Sequence, residues 1–591
     1  MPRGKLKYRK KLEFGMKNMK VAVILILIII PAAVLFLYHY FNAAADIVFI
    51  NGFVYTVNEN RSIAEAVVVR KDKIIFVGSS ENARPFITGK SIVIDLQGRM
   101  LLPGFHDSHA HVLEGGVSLN MCNLSAMKSP REYVAALKDY GEKNPAKEWV
   151  AGFGWSLEAF PGGNPHKMLL DNILPDRPVA VMCGDGHSIW VNSAALREAG
   201  VTAKTPDPVG GRIERDAAGK PTGILREGAM ELVRKKAFEP SIFEAFEGLE
   251  KGIALLNSHG ITSFIEARAI TADSYDLLYR LVHATGNLRA RVTLSLYLDP
   301  HRDDTQIGEL IGKYDGDRKS LLKADQVKIF LDGVTESKTA WLFDSYKGEP
   351  GNFGIPIYTM DRLKKYAVRL EKAGFQLHMH AIGDRAVHEG LNLVEHVHRS
   401  GGSREGRHHL VHLYLVGKDD AVRFKKLHVT GNIQAQWACP AGFNEINRKC
   451  LGKKRFAALF PFRTLRDEGA LLAGGSDWPV DIVNPLEIMQ TAVTRQVPGQ
   501  GENSPILERG ERLDLSDMIE AYTINGAWLQ RREDLTGSIE TGKLADLIVI
   551  DKNLFAVKPD ELASAKILLT LLGGKPVYTA SWAHGYFSAG R

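Results

Sequence analysis

Short apolar runs alternate with longer amphipathic segments through the middle of this 591-residue chain. Runs of this length predict β-strands, and the amphipathic segment over 360–373 is typical of the helices that join them. About eight such units predict an α/β fold, namely a (β/α)8 TIM-like barrel with insertions, whose chemistry lies at the carboxyl ends of the strands. The strand-like runs cover residues 105–111, 179–182, 261–265, 291–296, 327–331, 376–380, 409–412 and 470–474.

The regions on either side of this pattern are rich in short strands. Residues 46–100 contain a predicted hairpin over 66–78, and residues 545–579 continue in the same way. We expect these two regions to meet in one small β-sandwich. The predicted domains are therefore a composite sandwich of residues 46–103 and 535–591, and a barrel of residues 104–534.

A basic leader and an apolar segment precede the predicted sandwich. Residues 1–20 hold eight basic residues and one acid, and residues 21–41 are almost wholly apolar. This pattern predicts a transmembrane anchor with a cytosolic leader, and it places the rest of the chain on the non-cytosolic side of the membrane. A cleaved signal peptide, which would release a secreted protein, is the alternative, because residues 43–45 are all alanine.

Charge and cysteine content exclude several classes of protein. The leader carries the whole formal net charge of +7, so the rest of the chain is neutral and we expect no nucleic-acid partner. The four cysteines are Cys122, Cys183, Cys439 and Cys450, and they form no CxxC pair. Their number excludes a dense disulfide framework, and their spacing argues against a thiolate metal site.

Residues 105–111 read Phe-His-Asp-Ser-His-Ala-His at the end of an apolar run. Side chains alternate between the two faces of a strand, so His109 and His111 point the same way. Two histidines side by side at a strand end form half of a metal site. Asp107 shares their face and is predicted to support them, whereas His106 points the other way and is predicted to pack in the core.

Further candidate ligands lie in or just after other strand-like runs. A single strand histidine is more often a hydrogen-bonded structural residue, and a single aspartate often caps a helix. Because the carboxyl ends of barrel strands meet at one face, the set as a whole predicts a single metal centre. These candidates are Lys328, His380, His412 and Asp477, with His378 and His409 as additional ones.

Six motifs together resemble the amidohydrolase superfamily, and within it the amidohydrolase-3 branch of YtcJ-like and N-substituted formamide deformylase-like proteins. They occur in the family order, and the resemblance covers roughly residues 46–591. His106 departs from the pattern, since relatives usually carry an aliphatic residue there. The motifs are residues 103–111 (PGFHDSHAH), 185–193 (DGHSIWVNS), 327–333 (VKIFLDG), 380–386 (HAIGDRA), 475–480 (GSDWPV) and 542–546 (GKLAD).

The resemblance implies a divalent metal centre with one or two ions, and zinc is the expected metal. His109, His111 and Asp477 would hold one ion. His380 and His412, from the fifth and sixth strands, would hold the second. The implied partner of such a centre is a small-molecule substrate.

Lys328 would bridge the two ions if it is carboxylated, since a carbamate binds metals and an ammonium group does not. The implied reaction is hydrolysis of a C–N bond outside a peptide chain, in N-acyl or N-formyl small molecules. A divalent metal lowers the pKa of bound water from about 15.7 to about 7 and polarises a carbonyl oxygen. Asp477 is the predicted general base, which takes a proton from the water and returns it to the leaving nitrogen.

Two other functions stay open at this point. The first is a deaminase or isomerase that uses one metal ion on the same barrel. The second is a non-catalytic binding protein, against which the intact set of ligands argues.

Residues outside the ligand set are predicted to shape the substrate pocket. His187 and Asn192 would contact the substrate or stabilise an oxyanion, and the alternative for both is a hydrogen-bonding role within a loop. Trp155 and Trp437 would line the pocket, although aromatic side chains of this kind more often belong to a core.

Overall fold

The computed structural model describes residues 45–160, 163–184, 188–208, 211–270, 275–501 and 503–587. Its centre is a sheet of eight parallel strands that curls into a barrel, which confirms the predicted TIM-like barrel. In chain order these strands are β1 (Phe105–Ala110), β2 (Ile261–Ala269), β3 (Arg291–Tyr297), β4 (Leu322–Phe330), β5 (Gln376–Ala381), β6 (His409–His412), β7 (Thr430–Ile433) and β8 (Leu472–Gly474).

Backbone hydrogen bonds join β1 to the segment that follows β8. The amide of Asp477 donates to the carbonyl of His109 over 2.7 Å, and the amide of His111 donates to the carbonyl of Trp478 over 2.8 Å. These bonds hold the carboxyl ends of the first and last strands side by side. They therefore bring the side chains of three predicted ligands together.

The register between neighbouring strands determines how deep in the barrel the other candidate ligands lie. Lys328 pairs with His378, and His378 pairs with His409. Residues in register on neighbouring barrel strands form layers across the interior. These three side chains therefore share one layer, whereas His380 and His412 lie closer to the carboxyl ends.

Helices cover the outside of the barrel. The helix Met360–Lys372 lies where the sequence predicted one, and its buried residues recur with the spacing of one apolar face. The described α-helices are Ser80–Ala83, Val112–Ser118, Pro130–Lys143, Met168–Asp171, Ser193–Glu198, Glu231–Phe238, Ile242–Ser258, Tyr275–Ala284, Thr305–Gly312, Met360–Lys372, Asp384–Arg399, Lys418–Lys426, Gly442–Phe456, Phe462–Asp467, Pro485–Thr494, Leu515–Ala521, Ile524–Leu529 and Ser581–Phe587.

A β-sandwich packs beside the barrel, and both ends of the described chain contribute strands to it. Leu547–Ile550 pairs with Met100–Pro103, and Phe49, Leu101 and Val549 are buried between the two sheets. One sheet contains Ile47–Ile50, Ala66–Arg70, Lys73–Gly78 and Ile92–Asp95, and the other contains Phe53–Tyr55, Ile63–Ala64, Met100–Pro103, Leu547–Ile550, Ile567–Leu572 and Lys575–Thr579.

A further sheet of six strands is inserted between β1 and β2, and the sequence did not predict it. The run at 179–182 belongs to this insert, so its assignment to the barrel was wrong; an apolar run marks a buried strand in either sheet. Conversely, β7 was missed because it is short and polar. The insert strands are Cys122–Asn123, Val150–Trp155, Val179–Cys183, Ser188–Val191, Gly211–Arg215 and Pro221–Glu227.

The prediction of a transmembrane helix is corrected by the structure. Among the residues that the structure describes, no helix is long and apolar enough to cross a bilayer. The leader of residues 1–20 and the apolar segment 21–41 lie outside the described residues, as do residues 43 and 44 of the alternative cleavage site. The membrane anchor, the single-pass topology and the membrane localisation rested on the hydropathy of that segment and on the basic residues before it, and the structure supports none of them.

Candidate metal centre

Three buried side chains from three barrel strands converge at the carboxyl end of the barrel. His109 lies near the end of β1, His412 ends β6, and Asp477 follows β8. One ligand atom of each lies within 4.8 Å of the others. A set of imidazole nitrogens and a carboxylate oxygen at this spacing is typical of a metal site.

His111 extends this cluster toward solvent. Its Nε2 lies 3.1 Å from Oδ1 of Asp477, and Nε2 of His109 lies 3.2 Å from the same oxygen. The two histidines therefore share a face, as the alternation of strand side chains predicts. The side chain of His111 is 12% exposed and that of His109 only 1%, so His111 lies at the mouth of the site.

Lys328 and His380 lie at the edge of the same cluster. Nζ of Lys328 is 3.3 Å from Nε2 of His109, and the His380 and His412 rings are 4.5 Å apart. Burial lowers the pKa of Lys328 to about 7. Burial, together with Lys328, lowers the pKa of His380 to about 3, so this imidazole is neutral at physiological pH.

The electrostatic balance of the cluster favours an ionised Asp477 carboxylate and neutral imidazoles at His109 and His412. Burial opposes the charge on Asp477, but the imidazoles of His109, His111 and His412 outweigh it and hold the pKa of Asp477 well below its usual range. Burial and Lys328 lower the pKa of His109 to about 3. Burial also opposes the charged form of His111, but the carboxylate of Asp477 outweighs burial and raises the pKa of His111.

The donor atoms of the cluster fit a divalent metal. Oδ1 of Asp477 is buried and accepts no hydrogen bond from any described residue, although two imidazole nitrogens lie within 3.2 Å of it. Such convergence of atoms without hydrogen bonds among them suits a shared cation, since a buried polar atom is otherwise paired.

The backbone of two predicted ligands adopts the left-handed region. His412 has φ 80° and Asp477 has φ 56°, although neither is glycine. A non-glycine residue in this region costs free energy and is held by its surroundings, which is common at functional sites. In both cases the chain turns sharply at a strand end, and the turn aims the side chain into the barrel mouth.

Asp107 and His378 support the cluster from below. Oδ1 of Asp107 accepts from the backbone amides of His109 and Ser476, each over 3.0 Å, so it ties β1 to the segment after β8. Burial raises the pKa of Asp107 to about 6. His378 places its Nε2 2.7 Å from Nδ1 of His109, and its ring lies 4.2 Å from that of His409.

His106 lies on the opposite face of β1, as its position on the strand predicts. It is fully buried, and its Nδ1 lies 3.4 Å from Nε2 of Gln530. A Cβ at Gly526, on the helix Ile524–Leu529, would come within 2.6 Å of Cβ of His106. The side chain therefore packs between the strand and this helix, away from the cluster.

Two acidic residues near the cluster were not singled out from the sequence. Asp332, two residues after β4, accepts from the backbone amides of Trp341, Ile382 and Gly383. Its Oδ1 also lies 3.7 Å from Nε2 of His380. Its place in the motif over 327–333 is the signal that could have found it.

The other missed acid is Glu266, a charged residue within the apolar strand β2. Its Oε2 accepts from the amides of Val112 and Leu113 over 3.0 and 3.3 Å, and from the hydroxyl of Tyr279. Glu266 thereby fixes the turn directly after His111. A buried acid inside an apolar strand is the sequence signal for such a role.

The predicted substrate residues lie apart from this arrangement or outside the described chain. His187 lies outside the described residues. Asn192 directs its amide to backbone groups of the insert, accepting from Val179 and Ala195 and donating on its other side. Trp155 is fully buried in the insert core and donates to the carbonyl of Val181, so the hydrogen bonds of both Asn192 and Trp155 lie within the insert.

Trp437 is the predicted pocket tryptophan that lies beside the cluster. Its ring lies 5.4 Å from that of His412, and only 7% of the residue is exposed. It follows β7, whose carboxyl end faces the same mouth of the barrel. A position there suits a wall of the substrate pocket.

Comparison with known proteins identifies the family. The amidohydrolase family profile matches residues 92–578. The chain is 31% identical to the putative amidohydrolase YtcJ of Bacillus subtilis over 90% of this chain and 99% of that protein. It is 28% identical to N-substituted formamide deformylase of Arthrobacter pascens over 90% of this chain and 97% of that protein.

A solved structure agrees with these sequence matches. An uncharacterised metal-dependent hydrolase from Pyrococcus furiosus superposes with a TM-score of 0.70 at 25% identity, over 86% of this chain and 99% of that chain. The fold, the six motifs and the strand-end histidines thus lead to the same assignment. The chain belongs to the amidohydrolase family.

Proposed function

We propose that this protein is a metal-dependent hydrolase that cleaves C–N bonds other than peptide bonds in small molecules. The observation that carries the proposal is the convergence of His109, His412 and Asp477, whose ligand atoms lie within 4.8 Å of one another at the barrel mouth. The likeness to N-substituted formamide deformylase supports a substrate of the N-acyl or N-formyl amide class.

The proposed ligands divide between two positions. His109, His111 and Asp477 would hold one ion, and His380 and His412 would hold a second. Zinc is the proposed metal because imidazole and carboxylate donors suit it. When bound, a divalent metal supplies a Lewis acid that polarises a carbonyl oxygen and lowers the pKa of water to about 7.

Asp477 is the proposed general base. Its carboxylate is ionised at neutral pH, because the neighbouring imidazoles hold its pKa well below the usual range. It takes one proton from the attacking water, whose oxygen bonds to the carbonyl carbon. As the C–N bond breaks, Asp477 returns that proton to the leaving nitrogen, so the reaction yields an acid and an amine.

Lys328 is proposed to be carboxylated. Burial lowers the pKa of its amine to about 7, so a large share of the amine is neutral at physiological pH. A neutral amine is the form that adds to carbon dioxide, and the carbamate it forms is an oxygen ligand. With its Nζ 3.3 Å from Nε2 of His109, Lys328 is close enough to contribute that ligand.

Access to the site favours a small substrate. The side chains of Asp477 and His380 are each only 8% exposed, and that of His111 is 12% exposed. A compact acyl or formyl group can reach such a recessed cluster, whereas a folded protein cannot. The pocket of an enzyme is typically a recess of this kind with a few convergent polar groups.

The test is turnover of a panel of N-formyl and N-acyl amines by the Zn²⁺-loaded full-length protein, read as release of free amine. We expect hydrolysis of at least one member, and Asp477→Asn should lower kcat by about 10²–10⁴-fold. Glu487→Gln, on the helix Pro485–Thr494, is a control that should leave turnover unchanged. Full metal loading without any amine release would contradict the proposal.

A further inference from the structure

We propose that Asn432 and Gln434 are positioning residues that fix which ring nitrogen of His412 faces the metal centre. Asn432 lies on β7, and Gln434 is the first residue after that strand. Both therefore neighbour His412 at the end of β6. Both amide side chains are fully buried. The inference deepens the proposed function and rests on it, because it concerns how one proposed ligand is held.

The direction of the hydrogen bonds is set at a backbone carbonyl on β1. Nδ2 of Asn432 lies 2.8 Å from the carbonyl oxygen of Ser108, which can only accept a hydrogen bond. This contact fixes the orientation of the Asn432 amide and leaves its Oδ1 as an acceptor. Nε2 of Gln434 donates to that oxygen over 3.1 Å.

The orientation of the Gln434 amide in turn fixes which ring nitrogen of His412 carries the proton. Because Gln434 directs its nitrogen at Asn432, its oxygen faces the histidine, and Oε1 lies 2.8 Å from Nδ1 of His412. An amide oxygen only accepts, so Nδ1 of His412 carries the proton. Nε2 of the neutral ring then holds a lone pair, which is the form that binds a metal.

The hydrogen bonds of His409, which also contacts Asn432, are consistent with this orientation of the Asn432 amide. Its Nδ1 lies 3.3 Å from Nδ2 of Asn432, and its Nε2 lies 3.2 Å from Oε1 of Gln326. Gln326 donates through its own nitrogen to Gln376 over 2.8 Å, so its oxygen is the acceptor for His409. Donors and acceptors therefore alternate consistently from Gln376 to Asn432.

Gly475 leaves the space that this arrangement needs. A Cβ at Gly475 would lie 2.7 Å from Cβ of His109 and 3.0 Å from Nε2 of Gln434. Both distances are shorter than or at the limit of ordinary contacts, so the amide and the ligand already fill the volume. We use the name amide relay for the hydrogen bonds that run from the carbonyl of Ser108 through the side chain of Asn432 to the side chain of Gln434.

The test combines two measurements on the full-length chain: Zn²⁺ affinity by chelator competition, and the absorption spectrum after loading with Co²⁺. Gln434→Met keeps the size of the side chain but offers no acceptor to Nδ1. We expect Zn²⁺ to bind about 10–100-fold more weakly and the Co²⁺ spectrum to change. Gln434→Glu keeps an oxygen acceptor and should retain more of the affinity.

Gln490→Met is the matched control. Gln490 is a buried amide on the helix Pro485–Thr494 and accepts from the backbone amide of Ala563 over 2.8 Å. This variant should lose Tm in the metal-free state, as Gln434→Met does, but keep the wild-type affinity and spectrum. Should Gln434→Met fail to fold, Asn432→Leu removes the oxygen that orients Gln434 and should weaken Zn²⁺ binding in the same direction.

The outcomes separate the amide relay from the proposed function. Wild-type affinity and a wild-type Co²⁺ spectrum in folded Gln434→Met or Asn432→Leu would overturn the amide relay and leave the metal centre standing. A wild-type chain that binds neither Zn²⁺ nor Co²⁺ would overturn the metal centre itself, and the amide relay with it.

Discussion

In the proposed metal centre, the chemical state of Lys328 would decide how many metal ions the cluster can hold. As an ammonium group it would repel a cation, and as a carbamate it would bind one. Its side chain is fully enclosed, and its Nζ lies 3.3 Å from His109 and 4.9 Å from the ring of Phe330. The carboxylate of Asp477 favours the charged form of this amine, but burial outweighs it and lowers the pKa of Lys328 to about 7.

We predict that metal loading depends on bicarbonate through Lys328. The metal-free wild-type chain should take up more Zn²⁺ when bicarbonate is present than in buffer freed of carbon dioxide, because the carbamate supplies a ligand. Lys328→Met should take up less Zn²⁺ than the wild type and show no response to bicarbonate. Mass spectrometry for bound metal, after removal of free ions, measures both effects.

Lys323→Met provides the matched control, because Lys323 is a second buried lysine on β4 and pairs with Asp325 over 2.6 Å. It should lower stability by leaving a buried acid unpaired, but it should retain the bicarbonate response. Equal loading of wild type and Lys328→Met, with and without bicarbonate, would show that the lysine is not a metal ligand.

For individual residues, the sequence predicted the placement of side chains that follows from the alternation of faces along a strand and from the position of strand ends. His109, His111 and Asp477 follow from those rules, and the structure places them within contact of one another. Gln434 could not be predicted as a partner of His412, because their contact depends on the side-by-side placement of β6 and β7. Their roles as ligand and partner remain proposals.

The strands β5 and β6 are joined at their amino ends by a histidine that takes no part in the proposed chemistry. Nδ1 of His408 accepts from the backbone amide of Leu377 over 3.0 Å, and the carbonyl of His408 accepts from the amide of Thr430. The residue is 1% exposed. A charge on this ring would have to be buried between two strands.

His408 makes the stability of these strands sensitive to acid. Burial lowers its pKa to about 3, from an ordinary value of 6.5. Between these values the unfolded chain binds a proton that the native chain does not, so native stability falls as the pH falls. The slope reaches about 1.4 kcal/mol per pH unit within that window.

We predict that His408→Asn loses less stability than the wild type between pH 6.5 and about pH 4, because Asn keeps an acceptor for Leu377 but cannot titrate. Urea unfolding of the metal-free proteins at several pH values measures the difference. His584→Asn, an exposed histidine, is the control that should follow the wild type. Parallel pH profiles for His408→Asn and wild type would contradict the prediction.

Prediction of the elements succeeded where a run had a strong apolar or amphipathic pattern. The helix Met360–Lys372 and strands such as β3 and β4 are of this kind, whereas β1 was predicted from the spacing of its histidines after an apolar run. Strand β7 was missed because Thr430 and Asn432 give it a polar sequence, and those polar groups face the barrel interior near the cluster. A strand that contributes side chains to a buried polar site therefore has a more polar sequence than a strand of the apolar core.

The barrel and the sandwich are joined by a buried ion pair. Arg291, the first residue of β3, places its Nε 2.6 Å and its Nη2 3.0 Å from the two carboxylate oxygens of Asp546, next to the strand Leu547–Ile550. The amide of Gly573 also donates to Asp546 over 2.7 Å. A paired arginine and carboxylate of this geometry holds the two units in a defined orientation.

We predict that Arg291→Met destabilises the whole protein by about 3–5 kcal/mol, because it leaves the carboxylate of Asp546 buried and unpaired. The double variant Arg291→Met/Asp546→Leu should recover part of the loss. Urea unfolding measures both. Arg399→Met, which removes an exposed pair with Glu395, is the control and should change stability by less than about 1 kcal/mol. A similar small change in Arg291→Met would contradict the prediction.

The architecture of the molecule followed from the alternation of strands and helices and from the β-rich regions at both ends. The insert between β1 and β2 was not foreseen, because its strands have the same apolar pattern as those of the barrel. The predicted domain boundaries at 103/104 and 534/535 remain a prediction.

The central claim is that a divalent metal binds at the cluster of His109, His111 and Asp477, and metal content measures it most directly. The purified full-length protein, reloaded with Zn²⁺ and freed of excess ions, should retain bound metal in stoichiometric amount. The variant His109→Ala/His111→Ala should retain much less while keeping its fold. A wild-type protein without bound divalent metal after reloading, or a double variant that binds it equally well, would contradict the claim.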